Sequence, residues 1–276
     1  MSSPPARTRD KLRRPDCEIH FEVTGSGPAV VFAHGLGGNH MSWWQQIPEF
    51  AQRYTCVAFA HRGFAPSTAP ADGVDPNSYA DDLAALLDHL KLDQVRIVAQ
   101  SMGGWTATAF ALRWPERVKA LVMACTTGVF DFRRSKHPAL AGIEAAAAEA
   151  ERTAREWFMA GIHPACGARM AREQPLAHFL YREIDDLSHR LDKESLRRKL
   201  FAMRSRAPEE AAALRFPTLF ISGEEDVAIP TAGVVAIGAA FPNARVERVK
   251  DTGHSVYFER PALFNRLVGE FLATAG

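Results

Sequence analysis

The stretch Val95-Arg96-Ile97-Val98-Ala99-Gln100-Ser101-Met102-Gly103-Gly104 passes from a β-branched run into a turn of small residues. Residues 105–114 then continue as a small and apolar run of helical character. Branched side chains fit a pleated, buried strand. The reading is therefore strand, tight turn with a central Ser101, then helix. Such a turn lifts the serine oxygen off the strand end. The helix start behind it supplies unpaired backbone N–H groups and the positive end of a dipole. Both favour an attacking oxygen and the anion formed after attack.

Working outward, the same alternation recurs. Residues 17–23 alternate apolar and polar as a half-exposed strand does, and 29–33 form a continuous apolar run that ends in His34-Gly35-Leu36-Gly37-Gly38. A helix is expected at 43–53, a strand at 54–60, and a helix at 77–90 with Leu83, Leu86, Leu87 and Leu90 on one face. Residues 118–125 read as another buried strand. This pattern predicts an α/β fold, a doubly wound and mostly parallel sheet covered on both faces. The glycine-rich turns fall at the carboxyl ends of the strands, where ligands bind in such sheets.

The alternation stops at about residue 130. From 131 to 208 the pattern is helical, at 142–160, 176–187 and 193–203, with Pro164 and Gly167 as breaks. It resumes with strands at 218–222 and 245–249 and helices at 231–240 and 261–273. The expected organisation is a mobile N-terminal arm (1–16), a core built from 17–130 and 209–276, and a helical lid inserted at 131–208.

Composition narrows the functions. The chain has 276 residues, 47% of them apolar, and a net charge of +1. That balance gives no general attraction to nucleic acid or to an anionic membrane. Cys17, Cys56, Cys125 and Cys166 are widely spaced, with no C-x-x-C pair, and Cys56 and Cys125, in apolar strand-like runs, read as buried free thiols, which fits a reducing compartment. No secretory signal and no membrane-length apolar run is seen, so the cytoplasm is the expected location. No H-x-x-x-H or H-E-x-x-H spacing suggests a metal, and no G-x-G-x-x-G or P-loop suggests a nucleotide, so the reading includes no cofactor. The basic run 197–206 alternates with an apolar stripe and reads as a solvated lid face. A small molecule is the expected partner, on a monomer or homodimer.

The ordered pieces His34-Gly35, Arg62-Gly63, Ala99-x-Ser101-x-Gly103, Gly223-x-x-Asp226 and Gly253-His254 resemble the lid-bearing α/β-hydrolases. The resemblance spans about residues 17–274. Its members include carboxylesterases, enol-lactone hydrolases and carbon–carbon bond hydrolases. It implies Ser101 as nucleophile, His254 as base and Asp226 as the acid that orients the imidazole, in the family's chain order. Glu224 and Glu225 are competing neighbours, and Asp131 is an alternative acid after the preceding strand. The backbone N–H groups of Leu36 and Met102 are the expected oxyanion donors. His34 is expected to be structural, its ring tied to nearby backbone. Ala99 and Ala65 stand where the family more often has Gly, and His61 where an acidic residue is frequent.

A serine at this position excludes the carboxylate-nucleophile subclasses that open epoxides or displace halide. The substrate expected is an ester, a lactone or an activated ketone with a mainly apolar body. Leu36, Met102, Trp105, Phe130, Val227 and Val256 are candidate pocket walls, with Trp157, Phe158, Phe179 and Phe201 from the lid. Two other readings remain open: lyase, perhydrolase or oxygenase chemistry without a cofactor on the same scaffold, and a slow-turnover ligand receptor.

Overall fold

A computed structural model describes residues 5–275. In chain order its strands are β1 (Arg7–Arg13), β2 (Glu18–Thr24), β3 (Ala29–Ala33), β4 (Thr55–Phe59), β5 (Val95–Gln100), β6 (Val118–Ala124), β7 (Thr218–Gly223) and β8 (Ala244–Val249). Its helices are α1 (Ile47–Phe50), α2 (Tyr79–His89), α3 (Met102–Arg113), α4 (Ile143–Met159), α5 (Gly167–Glu173), α6 (Pro175–Asp186), α7 (Lys193–Met203), α8 (Thr231–Gly238), α9 (Val256–Glu259) and α10 (Pro261–Thr274). The strands form one sheet in the order β1-β2-β4-β3-β5-β6-β7-β8. β1 and β2 are antiparallel to their neighbours, and β4 through β8 run parallel.

Strand alternation sorts the core into two layers. Val31, Ala33, Ile97, Ala99, Leu121 and Met123 face Leu83 and Leu87 of α2, Phe110 of α3 and Ile237 of α8. Val30, Phe32, Val98, Val122 and Ile221 face Phe50 of α1 and Phe264, Val268 and Leu272 of α10. Burial of one such large side chain is worth about 1.5–3 kcal/mol. Both faces of the parallel strands are thus covered, and their carboxyl ends are left free for loops.

The N-terminal reading needs correction. Residues 7–13 are not a mobile arm but the edge strand β1, paired with β2 from Arg7↔Thr24 to Arg13↔Glu18. Arg7 bonds Glu22 at 2.6 Å and Lys11 bonds Glu18 at 2.9 Å. The strand is charged along most of its length, as exposed edges are, so it carries no apolar alternation to read. Residues 1–4 lie outside the described part. The helix expected at 43–53 is instead a short turn, His40–Trp43, followed by α1.

Helices α4 to α7 fill the connection between β6 and β7. The two chains entering and leaving it are joined by a bridge, Phe130 to Arg206, with Asp131 N–H donating to Arg206 O at 2.9 Å and Arg206 N–H to Val129 O at 3.1 Å. Lys199 Nζ donates to Val74 O at 2.7 Å, and Gln174 Nε2 to Glu259 O at 3.0 Å, fastening this layer to the core. Gly167, expected only as a break, opens the extra helix α5 at φ +74°, with Trp157 packed against it. No helix among the described residues is long and apolar enough to cross a membrane.

Candidate active site

Ser101 sits between β5 and α3 at φ 48°, ψ −114°. A non-glycine residue at positive φ stores about 1–3 kcal/mol of backbone strain. Its neighbours hold it there: Ser101 N–H donates to Ala124 O at 3.0 Å, and Gly104 N–H returns to Ser101 O at 2.8 Å. Glycines let the helix start come this close. A Cβ on Gly103 would enter the Ala33 carbonyl, and one on Gly104 would meet Thr126. Ser101 is half-buried, whereas Gln100 and Met102 on either side are buried.

His254 and Asp226 come from the loops after β8 and β7. His254 Nδ1 and Asp226 Oδ2 are 2.8 Å apart, and both residues are buried. The other carboxylate oxygen, Oδ1, accepts the N–H groups of Ala228 (2.8 Å) and Ile229 (2.9 Å). With Oδ1 so engaged, Oδ2 is left to take the imidazole N–H, which fixes the tautomer with Nε2 free as a base. Glu225 is turned to Arg169, and Glu224 to Arg248. Asp131 is held by Arg133 at 2.8 and 3.0 Å, so it does not serve His254 here.

Gln100 ties these parts together. Its Nε2 donates to His254 O at 3.2 Å. On the opposite side its Oε1 lies where a Cβ on Gly35 would stand, and that Cβ would be 3.2 Å from Ser101 Cβ. The 34–38 turn, the serine turn and the histidine loop are therefore in contact. Met102 N–H, at the first position of α3, has no acceptor within the helix. Leu36 follows Gly35 in the adjoining turn. His34 Nδ1 lies 2.8 Å from Gly35 O, and its Nε2 accepts His61 N–H at 3.0 Å. Burial pushes the His34 imidazole down to about 3, so it is a neutral strut. His61 in turn reaches Thr106 at 2.9 Å, which explains a histidine where an acidic residue is frequent. Arg62 pairs with Asp82 at 2.6 Å and with Asp16 at 2.8 Å.

Among the described residues, two groups of side chains have the donor types to hold a metal. Cys125, Asp226 and His254 bring one ligand atom each within 4.8 Å of one another, as do His20, Glu22 and His40. In the first group burial, then the Asp226 charge, holds the Cys125 thiol protonated, well above its ordinary range. In the second group Glu22 is already ion-paired to Arg7 and Arg9. The first group comes from three separate loops, while His20 and Glu22 share strand β2 and His40 joins them from the turn that follows β3.

The pocket residues divide. Met102, Trp105, Phe130 and Val256 are buried, and Phe130 packs edge-on against Phe241 at 5.5 Å as a core residue. Val227 and Trp157 border a shallow depression of about 390 Å³ with Arg169. Phe158 and Phe179 face solvent at 72% and 63% exposure, and Phe201 is also exposed, which corrects their placing as inward walls. Apolar spacing marks a helix face but does not say which neighbour covers it. A feature missing from the sequence reading is Arg204. Its guanidinium stacks at 5.1 Å from the Trp105 ring and 5.1 Å from Phe201, and its Nε and Nη2 are buried without a hydrogen-bond partner. Gln100 and Arg204 left no motif, because each acts through a tertiary contact.

A strained serine turn, a carboxylate-bound histidine and two loops meeting at the carboxyl edge of a parallel sheet define a class of enzyme. The chain belongs to the α/β-hydrolase fold family, whose model matches residues 28–261. It is similar to a putative 2-succinyl-6-hydroxy-2,4-cyclohexadiene-1-carboxylate synthase of Bacillus subtilis strain 168, 27% identical over 93% of this chain and 96% of that protein. It is also similar to a 2-hydroxymuconate semialdehyde hydrolase of Pseudomonas sp. strain CF600, 30% identical over 91% of this chain and 89% of that one. Among solved structures, an N-acyl homoserine lactone degrading enzyme superposes with a TM-score of 0.76 at 26% identity, covering 95% of this chain and 100% of that chain.

Proposed function

We propose that this chain is a serine hydrolase that cleaves an ester or lactone of a small carbonyl compound with a mainly apolar body, through an acyl-enzyme. The observation that carries this reading is the 2.8 Å bond from His254 to a carboxylate whose second oxygen is already engaged, on a loop bonded to the residue beside Ser101.

A serine hydroxyl is too weak an acid to attack unaided at neutral pH. His254 Nε2 takes the proton as Ser101 Oγ attacks the carbonyl carbon, and Asp226 stabilises the imidazolium. The N–H groups of Met102 and Leu36 receive the oxyanion. The imidazolium then gives its proton to the leaving alkoxide, the C–O bond breaks, and Ser101 carries the acyl group. Water, deprotonated by His254, attacks that ester; the acyl C–O bond breaks, the imidazolium returns its proton to Ser101 Oγ, and the acid is released. Cleavage of an activated carbon–carbon bond would use the same groups, with a carbanion as leaving group.

The two Arg204 guanidinium nitrogens without a hydrogen-bond partner favour one refinement, a substrate whose apolar body ends in a carboxylate. The test is turnover of short-chain aryl esters. Ser101→Ala is expected to lower kcat roughly 10³-fold or more. Undiminished turnover, with His254→Ala inactive, would favour the proton-abstracting alternative, in which the serine only hydrogen-bonds.

A further inference from the structure

Glu259 lies in α9, five residues beyond His254, and is 3% exposed. Its side chain turns back to the start of its own helix. Gly253 N–H donates to both carboxylate oxygens at 3.1 Å, and Ser255 N–H reaches Oε1 at 3.4 Å. These are the peptide N–H groups on the two sides of His254. Other bonds hold the carbonyls of this loop and the ring: Glu225 N–H donates to Thr252 O at 2.9 Å, Gln100 bonds the His254 carbonyl, and Asp226 bonds the ring, whereas the N–H groups of Gly253 and Ser255 go to Glu259. A Cβ on Gly253 would stand 3.1 Å from Glu259 Oε1, so the loop lies directly on the carboxylate.

We propose that Glu259 is a positioning residue for the base: its carboxylate brackets His254 by both flanking amides and sets the height of the imidazole above the serine turn. This rests on the reading of His254 as the base. Three restraints then act on one residue, from Asp226 on the ring, Gln100 on the carbonyl and Glu259 on the backbone N–H groups. Each comes from a different element, and none can substitute for another. A buried carboxylate is an expensive way to cap a four-residue helix, because apolar surroundings oppose its charge. The choice makes sense where two diverging amides must be held in fixed relation, since one carboxylate offers two acceptor oxygens without a competing donor.

The charged and titratable groups facing Glu259 are Asp226, Cys125 and Cys166, all buried, and Arg260 next in sequence. Both thiols are held neutral by burial, and Arg260 points away to Asp251 O at 2.9 Å. Burial raises the Glu259 carboxyl to about 7, so it ionises near neutrality.

The experiment compares wild type, Glu259→Gln and Glu259→Ala on p-nitrophenyl acetate, with kcat and KM resolved across the pH range and circular dichroism to verify folding. A misplacement of ~1 Å in such a site costs ~10²-fold in rate. We expect Glu259→Ala to lose about that factor in kcat with KM within ~2-fold, and Glu259→Gln, which keeps an acceptor, to recover most of it. The acid limb of the wild-type kcat profile should contain a component near neutrality that Glu259→Gln lacks. Should the alanine variant not fold, Glu259→Asp, whose shorter side chain draws the carboxylate back from both amides, is read in its place, with kcat expected to fall and an unchanged kcat overturning the proposal. Unchanged kcat in the alanine variant, or an identical acid limb in wild type and Glu259→Gln, would overturn the proposal. Full turnover in His254→Ala would instead overturn the reading of the base, a separate outcome.

Discussion

The side chain of Gln100 and the backbone of His254, 154 positions apart in sequence, share a hydrogen bond of 3.2 Å inside the protein. One amide group thereby spans from the Gly35 turn to the histidine loop, with Ser101 next to it in the chain. Gln100→Leu keeps the volume but leaves the His254 carbonyl unpaired. An orphaned buried acceptor costs about 1–3 kcal/mol. The variant should melt lower by that amount in chemical denaturation and lose about tenfold or more in kcat, because the base is no longer tethered. Equal kcat in variant and wild type would mean that the contact is only packing.

Asp226→Asn keeps the shape. Its side-chain oxygen can still accept Ala228 and Ile229 N–H, as Oδ1 does now, which turns the amide nitrogen toward His254 Nδ1. Two donors then face each other, or the imidazole changes tautomer and loses its free base nitrogen. The expected fall in kcat is ~10⁴-fold with the fold intact. Stopped assays on aryl esters check it, and a loss under tenfold would contradict the assigned role.

Gly103→Ala tests the packing behind the serine turn. The added methyl would enter the Ala33 backbone carbonyl, which cannot swing away as a side-chain tip can. Overpacking of this kind costs about 1–3 kcal/mol. Denaturant titration should show that loss together with reduced turnover, since α3 must shift away from β3. Gly142→Ala, with open space at its Cβ but φ +75°, should cost less and leave turnover unchanged.

Glu259 gives a pH signature of stability. Its carboxyl lies at about 7 in the fold, against ~4.3 in an unfolded chain. The folded state therefore binds more protons between these values. The stability linked to this group is fully present below the unfolded value and is lost as the pH rises through about 7. Glu259→Gln has no such titration. The Tm of the variant relative to wild type should therefore improve from about pH 5 to about pH 8. A difference that stays constant over that range would place the ionisation elsewhere.

Arg204 offers the converse test. Burial lowers its guanidinium to about 10, and two of its nitrogens have no partner. Replacing even a buried ion pair by packed apolar residues is often neutral or stabilising by about 1–4 kcal/mol, and a buried guanidinium with unpartnered nitrogens has less attraction to lose. Arg204→Met should therefore melt no lower than wild type, while its preference for aryl esters bearing a terminal carboxylate over neutral ones falls. A variant that melts lower with unchanged preference would assign Arg204 to structure alone.

Much of the architecture could be read from local pattern. β3 is a continuous apolar run, β5 and β6 are mainly apolar runs interrupted by Arg96 and Lys119, and the glycines around Ser101 mark where helix and strand must approach closely. β1 left no such trace, because it is held by backbone pairing with β2 while its mostly charged side chains stay exposed. The candidate site was legible where a motif stands at a strand end, as at Ser101, Asp226 and His254. It was not legible where a residue acts only through a partner far along the chain: Gln100 on His254, Arg204 against Trp105, Cys125 beside Asp226. Lid orientation failed for a related reason. Phe158 and Phe179 occupy helices whose spacing permits an inward face, yet solvent covers them.

The account stands or falls on whether the Ser101 hydroxyl is made nucleophilic by His254. Intact-protein and peptide mass spectrometry after treatment with a fluorophosphonate reads this directly, whatever the natural substrate. Wild type should take up a single phosphonyl group on Ser101, Ser101→Ala should take up none, and His254→Ala should react at least ~10³-fold more slowly. An unlabelled wild type, a label on another residue, or equal labelling rates in wild type and His254→Ala would contradict it.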